Sequence, residues 1–186
     1  QPMSNEDGTV WMAYNGQVYN HLELRRSFDL DGRGHSFRSK TDTEVLVHLY
    51  EELGEGMLPL LDGMFALAIW DARESRLLLA RDRFGIKPLF YCRKGGRLAF
   101  ASEIKSLLEL DGMEREPEPE ALFHYLSMDY IPGELTAFRG ISELRPGHVV
   151  STRDPSSVNP TPFMGPEPAI DPTITEPPIT VFIAQD

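Results

Sequence analysis

Two places near the start of the chain combine residue types that chemistry could use. The first is Asn15-Gly16, which follows Val10, Trp11, Met12 and Tyr14. A side-chain amide beside a glycine N–H can present two donors to one oxygen on which negative charge develops, as an oxyanion hole does. Glycine suits that place because no Cβ blocks an approaching substrate. The same dipeptide is also a common tight turn, since both residues tolerate positive φ. The pair by itself leaves both readings open. The second place is Asp42, within Thr41-Asp42-Thr43-Glu44. Its carboxylate could receive a substrate ammonium. It could equally be one more acid in a first helical turn, where the macrodipole favours negative charge, because Thr41 and Glu44 have capping-box spacing.

The elements that would position these residues follow from periodicity. Residues 9–14 alternate and predict a strand. Residues 18–28 follow a helical stagger, and Gly32 and Gly34 then mark a loop over 29–35. Residues 36–39 are a short extended piece. The capping box opens a helix with Val45, Leu46, Leu49 and Leu53 on one face and Gly54 to stop it. Residues 56–61 form one short helix. Residues 63–71 are nearly all apolar and predict a strand buried on both faces. A turn over 72–75 returns the chain as a strand over 76–81. A hairpin joins 89–92 to 97–101 across Lys94-Gly95-Gly96. Ser102 is placed to cap a helix over 103–110, and residues 119–127 form another.

Arg81-Asp82-Arg83-Phe84-Gly85-Ile86-Lys87-Pro88 is dense in charge between two apolar strands. It reads either as a solvated bend with a local Asp82–Arg83 pair or as a buried polar anchor. A structural role is favoured, with no catalytic part for Asp82 or Lys87, and Gly85 is expected at positive φ.

The 186 residues suffice for one domain with a core, and a 41% hydrophobic share fits a globular protein. A net charge of −11 argues against nucleic acid and anionic membrane surfaces as partners. The longest apolar stretch, residues 64–70, is far too short to span a membrane. The single cysteine, Cys92, excludes an internal disulfide and fits a reducing cytoplasm. It sits in a predicted strand and reads as a buried, inert thiol. His124 and His148 stand without partners at ligand spacing, so no metal site is expected.

Four segments carry a family resemblance: YNGQVYNHLELR, TDTEVLVHLYEELGEGMLPLLDGMFALAIWD, LLLARDRFGIKPLFY and LAFASEIKSLL. In this order they resemble the glutaminase domain of glutamine-hydrolysing asparagine synthetases, class II glutamine amidotransferases of the N-terminal-nucleophile (Ntn) hydrolase group. The resemblance implies an α+β fold, an Ntn-type α/β/β/α sandwich of mainly antiparallel sheets. It implies that Asn15 and Gly16 form the oxyanion hole and that Asp42 holds the α-amino group of glutamine. Gln17 would line the same pocket, where the family commonly has Glu.

The family's nucleophile is an N-terminal Cys whose α-amine is the base, and this chain begins at Gln1. Its carboxylate-binding Arg lies upstream of the QPM segment. The resemblance therefore leads us to expect part of a longer protein, with the first strands of the sandwich missing and no glutaminase activity in this chain. Expected divisions are a partial glutaminase domain over 1–110, a linker and the start of a synthetase domain over 111–150, and a disordered Pro-rich tail over 151–186. That tail holds eight of the 15 prolines and a short apolar end over 179–184 that could add an edge strand. No SGGLDS-type pyrophosphate loop follows, so ATP and Mg would belong to a synthetase domain outside the chain, which itself needs no cofactor. The implied reaction is hydrolysis of glutamine to supply ammonia for ATP-dependent amidation of aspartate, with glutamine as the small-molecule partner and a homodimer for the full-length family. Alternatives are another class II amidotransferase with a different acceptor, or a non-catalytic remnant or interaction module.

Overall fold

The computed structural model describes residues 1–163. In chain order these form β1 (Met3–Ser4), β2 (Val10–Val18), α1 (His21–Ser27), α2 (Asp42–Leu53), a 3-10 helix (Gly54–Leu60), β3 (Gly63–Asp71), β4 (Arg76–Arg81), β5 (Phe90–Lys94), β6 (Arg97–Ala101), α3 (Ile104–Leu108), α4 (Pro119–Met128), β7 (Ile141–Glu143), β8 (His148–Thr152) and β9 (Thr161–Pro162). One sheet has the order β1-β2-β3-β4-β8-β9, the other β6-β5-β7, and every pairing is antiparallel.

Strand alternation builds the layers. On β3, Phe65, Leu67 and Ile69 join Leu46, Leu49 and Met57 in the core under the first helices. Ala66 and Ala68 point the other way, against Tyr91 of the second sheet and Leu89 and Leu144, which flank its strands. The small alanines let the two sheets approach closely. Cys92 and Ile141 face outward from the second sheet onto Leu107 of α3. The order helix, sheet, sheet, helix is the sandwich expected from the sequence.

The Asn-Gly pair is not a turn. Asn15 pairs with Ala66 and Gly16 with Phe65 inside β2, which runs on to Val18. The first helix therefore starts at His21, three residues later than its periodicity suggests, because residues 17 and 18 are held by β3. A Cβ at Gly16 would lie 2.2 Å from the Met64 carbonyl oxygen and 2.7 Å from Phe65 Cα. Close approach of two backbones thus demands glycine there.

Half of the capping box forms. Thr41 Oγ1 accepts the Glu44 N–H at 3.4 Å. The Glu44 carboxylate does not return to Thr41; it accepts the Arg38 N–H, the Ser39 N–H and the Ser39 hydroxyl at 2.7, 2.6 and 2.6 Å. It thereby pins the extended lead-in onto the helix. Ser102 caps nothing, and α3 starts after Glu103 without a side-chain cap.

The charge-dense bend after β4 is a buried anchor. Asp82 is 0% exposed and accepts the backbone N–H groups of Phe65, Phe84, Ile86 and Lys87. Arg81 donates to the carbonyls of Gly85, Lys87 and Leu144 and pairs with Glu143 at 2.8 Å. Arg83 donates to the Pro59 carbonyl rather than to Asp82. Gly85 has φ +64°, as its place in the bend requires.

The boundaries expected at residues 110 and 150 do not divide the fold. β7 pairs with β5, and β8 with β4, so the stretch over 111–150 completes both sheets. Part of the supposed disordered tail also belongs to the fold: β9 pairs with β8, and Phe163 packs against the helix-side core with its ring 6.4 Å from Phe65. The sequence pattern hides this because β9 is two residues long and contains a proline. The apolar segment over 179–184 lies outside the described residues.

Candidate active site

β2 presents Asn15, Gly16 and Gln17 consecutively near its end, and its hydrogen-bond polarity decides what each can do. The Tyr19 N–H donates to the Asp62 carbonyl and the Ala72 N–H to the Thr9 carbonyl, so odd-numbered residues of this strand face β3 with their backbone groups. Even-numbered ones face the opposite edge. There the Tyr14 N–H donates to Gln1 Oε1 at 2.6 Å, and the Val18 N–H to Asp42 Oδ2 at 2.9 Å. Gly16 lies between them, past the end of the β1 pairing, which stops at Met12. Its N–H is thus a donor directed out of the sheet edge.

Side chains alternate as well. Tyr14 and Val18 are buried toward the helices, while Asn15 and Gln17 are exposed on the other face. Asn15 lines an open cleft of about 240 Å³ between the two sheets, whose walls include Gln1, Ala13, Ala66, Ala68, Leu89, Phe100 and Ser102. Gln17 shares the face of Asn15 but, like Gly16 and Asp42 at the strand edge, stands outside this lining.

Asp42 is the first residue of α2 and is locked to β2. Oδ2 accepts from the Tyr14 hydroxyl at 2.8 Å as well as from the Val18 N–H, and Oδ1 from the Thr43 N–H at 2.9 Å. Asp42 therefore opens the helix, as its place in the capping box suggests, and its carboxylate lies at the strand edge that carries the Gly16 N–H. Burial, with the bond to Asp42, drives the Tyr14 hydroxyl well above its ordinary range, so it remains a donor. Tyr14 was not singled out as a site residue in the sequence. Its alternation marks it only as core, and nothing local reveals a bond across 28 positions.

Cys92 takes no part. It is buried under α3, on the side of the second sheet away from the cleft, and burial pushes its thiol pKa up.

Comparison with known proteins gives this geometry a family. A model described as a glutamine amidotransferase domain matches residues 1–163. The chain is 39% identical to asparagine synthetase (glutamine-hydrolyzing) 1 of Bacillus subtilis strain 168 over 153 residues, which is 82% of this chain and 24% of that protein. It is 46% identical to putative asparagine synthetase (glutamine-hydrolyzing) 1 of Methanocaldococcus jannaschii over 120 residues, 62% of this chain and 21% of the relative. It thus spans about a quarter of the length of such relatives. Among solved structures, a glutamine phosphoribosylpyrophosphate amidotransferase from B. subtilis, complexed with ADP and GMP, superposes with a TM-score of 0.59 at 22% identity, covering 89% of this chain and 32% of that one. That likeness concerns the fold. The chain belongs to the glutamine amidotransferase domain family.

Proposed function

We propose that this chain is the glutamine-binding part of a glutamine-dependent asparagine synthetase, and that glutamine enters the cleft between the sheets with its side-chain amide toward Asn15 and Gly16. The observation that carries this reading is the edge of β2. The Gly16 N–H leaves the sheet unpaired by β1, and the Asn15 amide stands next to it in an open cleft. Two donors so placed would stabilise the oxygen of a tetrahedral intermediate as charge builds on it. Asp42, fixed on the same edge by Tyr14 and Val18, would receive the α-ammonium group. Gln17, outside the cleft lining, has no contact with the ligand in this reading.

The described residues bring no thiol to the cleft, so this chain supplies binding and oxyanion stabilisation while attack on the amide needs a nucleophile from elsewhere. Among the described residues no strand runs through a glycine-rich loop into a helix, the usual cradle for a nucleotide's phosphates. We therefore place ATP and magnesium, with activation of the aspartate acceptor, outside this chain. No helix among the described residues is long and apolar enough to cross a membrane. A cytoplasmic site of action is our reading from the biosynthetic names of the relatives.

The test is calorimetric titration of L-glutamine into the chain and into Asn15→Ala. Saturable binding that weakens about tenfold in the variant, the value of one good hydrogen bond, supports the reading. An absence of binding heat overturns it. The chain should also release no ammonia from glutamine above the protein-free control. Release that Asn15→Ala abolishes would show that a nucleophile is present after all.

A further inference from the structure

Toward the other end of β2 the fold gathers four side chains from three separate segments. Glu6 lies in the β1–β2 hairpin, His35 in the loop after α1, and His48 and Glu51 on α2. One ligand-capable atom of each lies within 4.8 Å of all the others. His48 Nδ1 is 3.1 Å from Glu51 Oε2 and 3.7 Å from Glu6 Oε2, and His35 Nδ1 is 3.6 Å from Glu51 Oε2. Metal–ligand bonds of about 2.0–2.2 Å at tetrahedral angles set ligand atoms roughly 3.3–3.6 Å apart; the 3.6 Å spacing falls in that range, and the 3.7 and 3.1 Å spacings lie just above and below it.

Three of the four side chains have their remaining atom held from outside, as metal ligands require. Glu6 Oε1 accepts the Ser36 N–H at 2.6 Å, leaving Oε2 to point inward. Glu51 Oε1 accepts from Asn5 Nδ2 at 2.7 Å, again leaving Oε2. His35 Nε2 is 3.0 Å from Glu52 Oε1, which fixes the ring with Nδ1 inward. His48 is 1% exposed and is packed edge-on by Phe37. Neither His124 nor His148, the histidines weighed in the sequence for a metal, belongs to this cluster.

We propose that Glu6, His35, His48 and Glu51 form a closed, structural binding site for a divalent transition metal, with zinc the best fit. Two imidazoles with two carboxylates suit zinc, whereas calcium and magnesium favour all-oxygen shells. Four protein ligands leave no open position, so the ion would tie the hairpin, the loop and α2 together rather than catalyse. Val10, whose carbonyl accepts the Asn5 N–H, is six residues from Gly16, or roughly 20 Å at strand rise. The site is therefore separate from the glutamine cleft.

The experiment is titration of the metal-free, untagged chain with Co²⁺, followed by visible absorption, and then displacement by Zn²⁺. The expected result is a single equivalent of Co²⁺ with the intense bands of a four-coordinate site, lost on adding Zn²⁺. Zn²⁺ should also raise the melting temperature, and a chelator should reverse the rise. Glu6→Gln and His35→Gln, each checked for unchanged circular dichroism, should lose the bands. A weak six-coordinate spectrum, no binding by the wild-type chain, or bands that persist in both folded variants would overturn the proposal.

Discussion

Asp82 and Asn15 are polar residues on either side of the central strand β3, and their surroundings are opposite. Asp82 is wholly buried, and four backbone N–H groups converge on its carboxylate. Asn15 is exposed at a cleft wall. A polar group enclosed by its own chain holds the fold, because removing it strands donors that nothing else can reach. A polar group beside an open cleft holds nothing in place and is left to a ligand. Asp42 lies between the two cases: Tyr14, Val18 and Thr43 fix its position, yet that position is the strand edge itself.

The contrast breaks most directly at Asp82. Asp82→Ala should destabilise the chain by about 4 kcal/mol, because an unpaired buried donor costs about 1–3 kcal/mol and four donors lose their partner, some of them regaining water. Urea unfolding measures it. A loss under about 1 kcal/mol would mean that water replaces the carboxylate and that the corner is no anchor.

Gly16→Ala comes next. The new Cβ would lie 2.2 Å from the Met64 oxygen, so β2 and β3 must separate. Overpacking of this kind costs about 1–3 kcal/mol. A full-strength loss would show that this glycine serves the sheet. A variant as stable as the wild type would leave only the proposed oxyanion role as a reason for glycine.

Glu44 gives a smaller, pH-dependent effect. Burial pushes its pKa up, but hydrogen bonds from the Arg38 N–H and from the hydroxyl and N–H of Ser39 win, holding it below its ordinary 4.5. Its folded pKa is depressed, so its stabilisation is present above the unfolded value and is lost as pH falls through the folded one. Melting temperatures of the wild type should therefore drop more steeply on acidification below about pH 5 than those of Glu44→Gln. Parallel curves would mean that the carboxylate contributes no more than a neutral amide does.

These contrasts also mark what the sequence could reveal. The bounds of β3 and β4 and the start of α2 follow from apolar runs and a cap, which are local signals. Whether Asn15-Gly16 turns or runs on depends on Met64 and Phe65, some fifty residues later, and no local propensity contains that. The sequence leaves the Asp82 anchor as one of two readings because the bend alone does not show that Phe65, on β3, also donates to it. The Tyr14–Asp42 bond and the Glu6–His35–His48–Glu51 cluster are assembled only in three dimensions. In β9, proline and brevity concealed a strand that owes its place to the edge of β8.

The smallest effect on stability should come from Asn15, and it separates two chemical roles. Asn15→Ala and Asn15→Asp should each leave unfolding within about 0.5 kcal/mol of wild type, since the side chain is exposed and anchors nothing. Glutamine affinity should distinguish them. If the Asn15 amide donates to the substrate's carbonyl oxygen, the alanine variant loses one bond and the aspartate variant adds repulsion, so affinity falls in the order wild type, alanine, aspartate. If the residue instead accepts from the substrate's amide nitrogen, the carboxylate accepts at least as well, and aspartate would match or exceed wild type. Calorimetric titration of the three chains at one pH and salt reads the order directly. Only the first order is compatible with an oxyanion hole, because that function requires a donor.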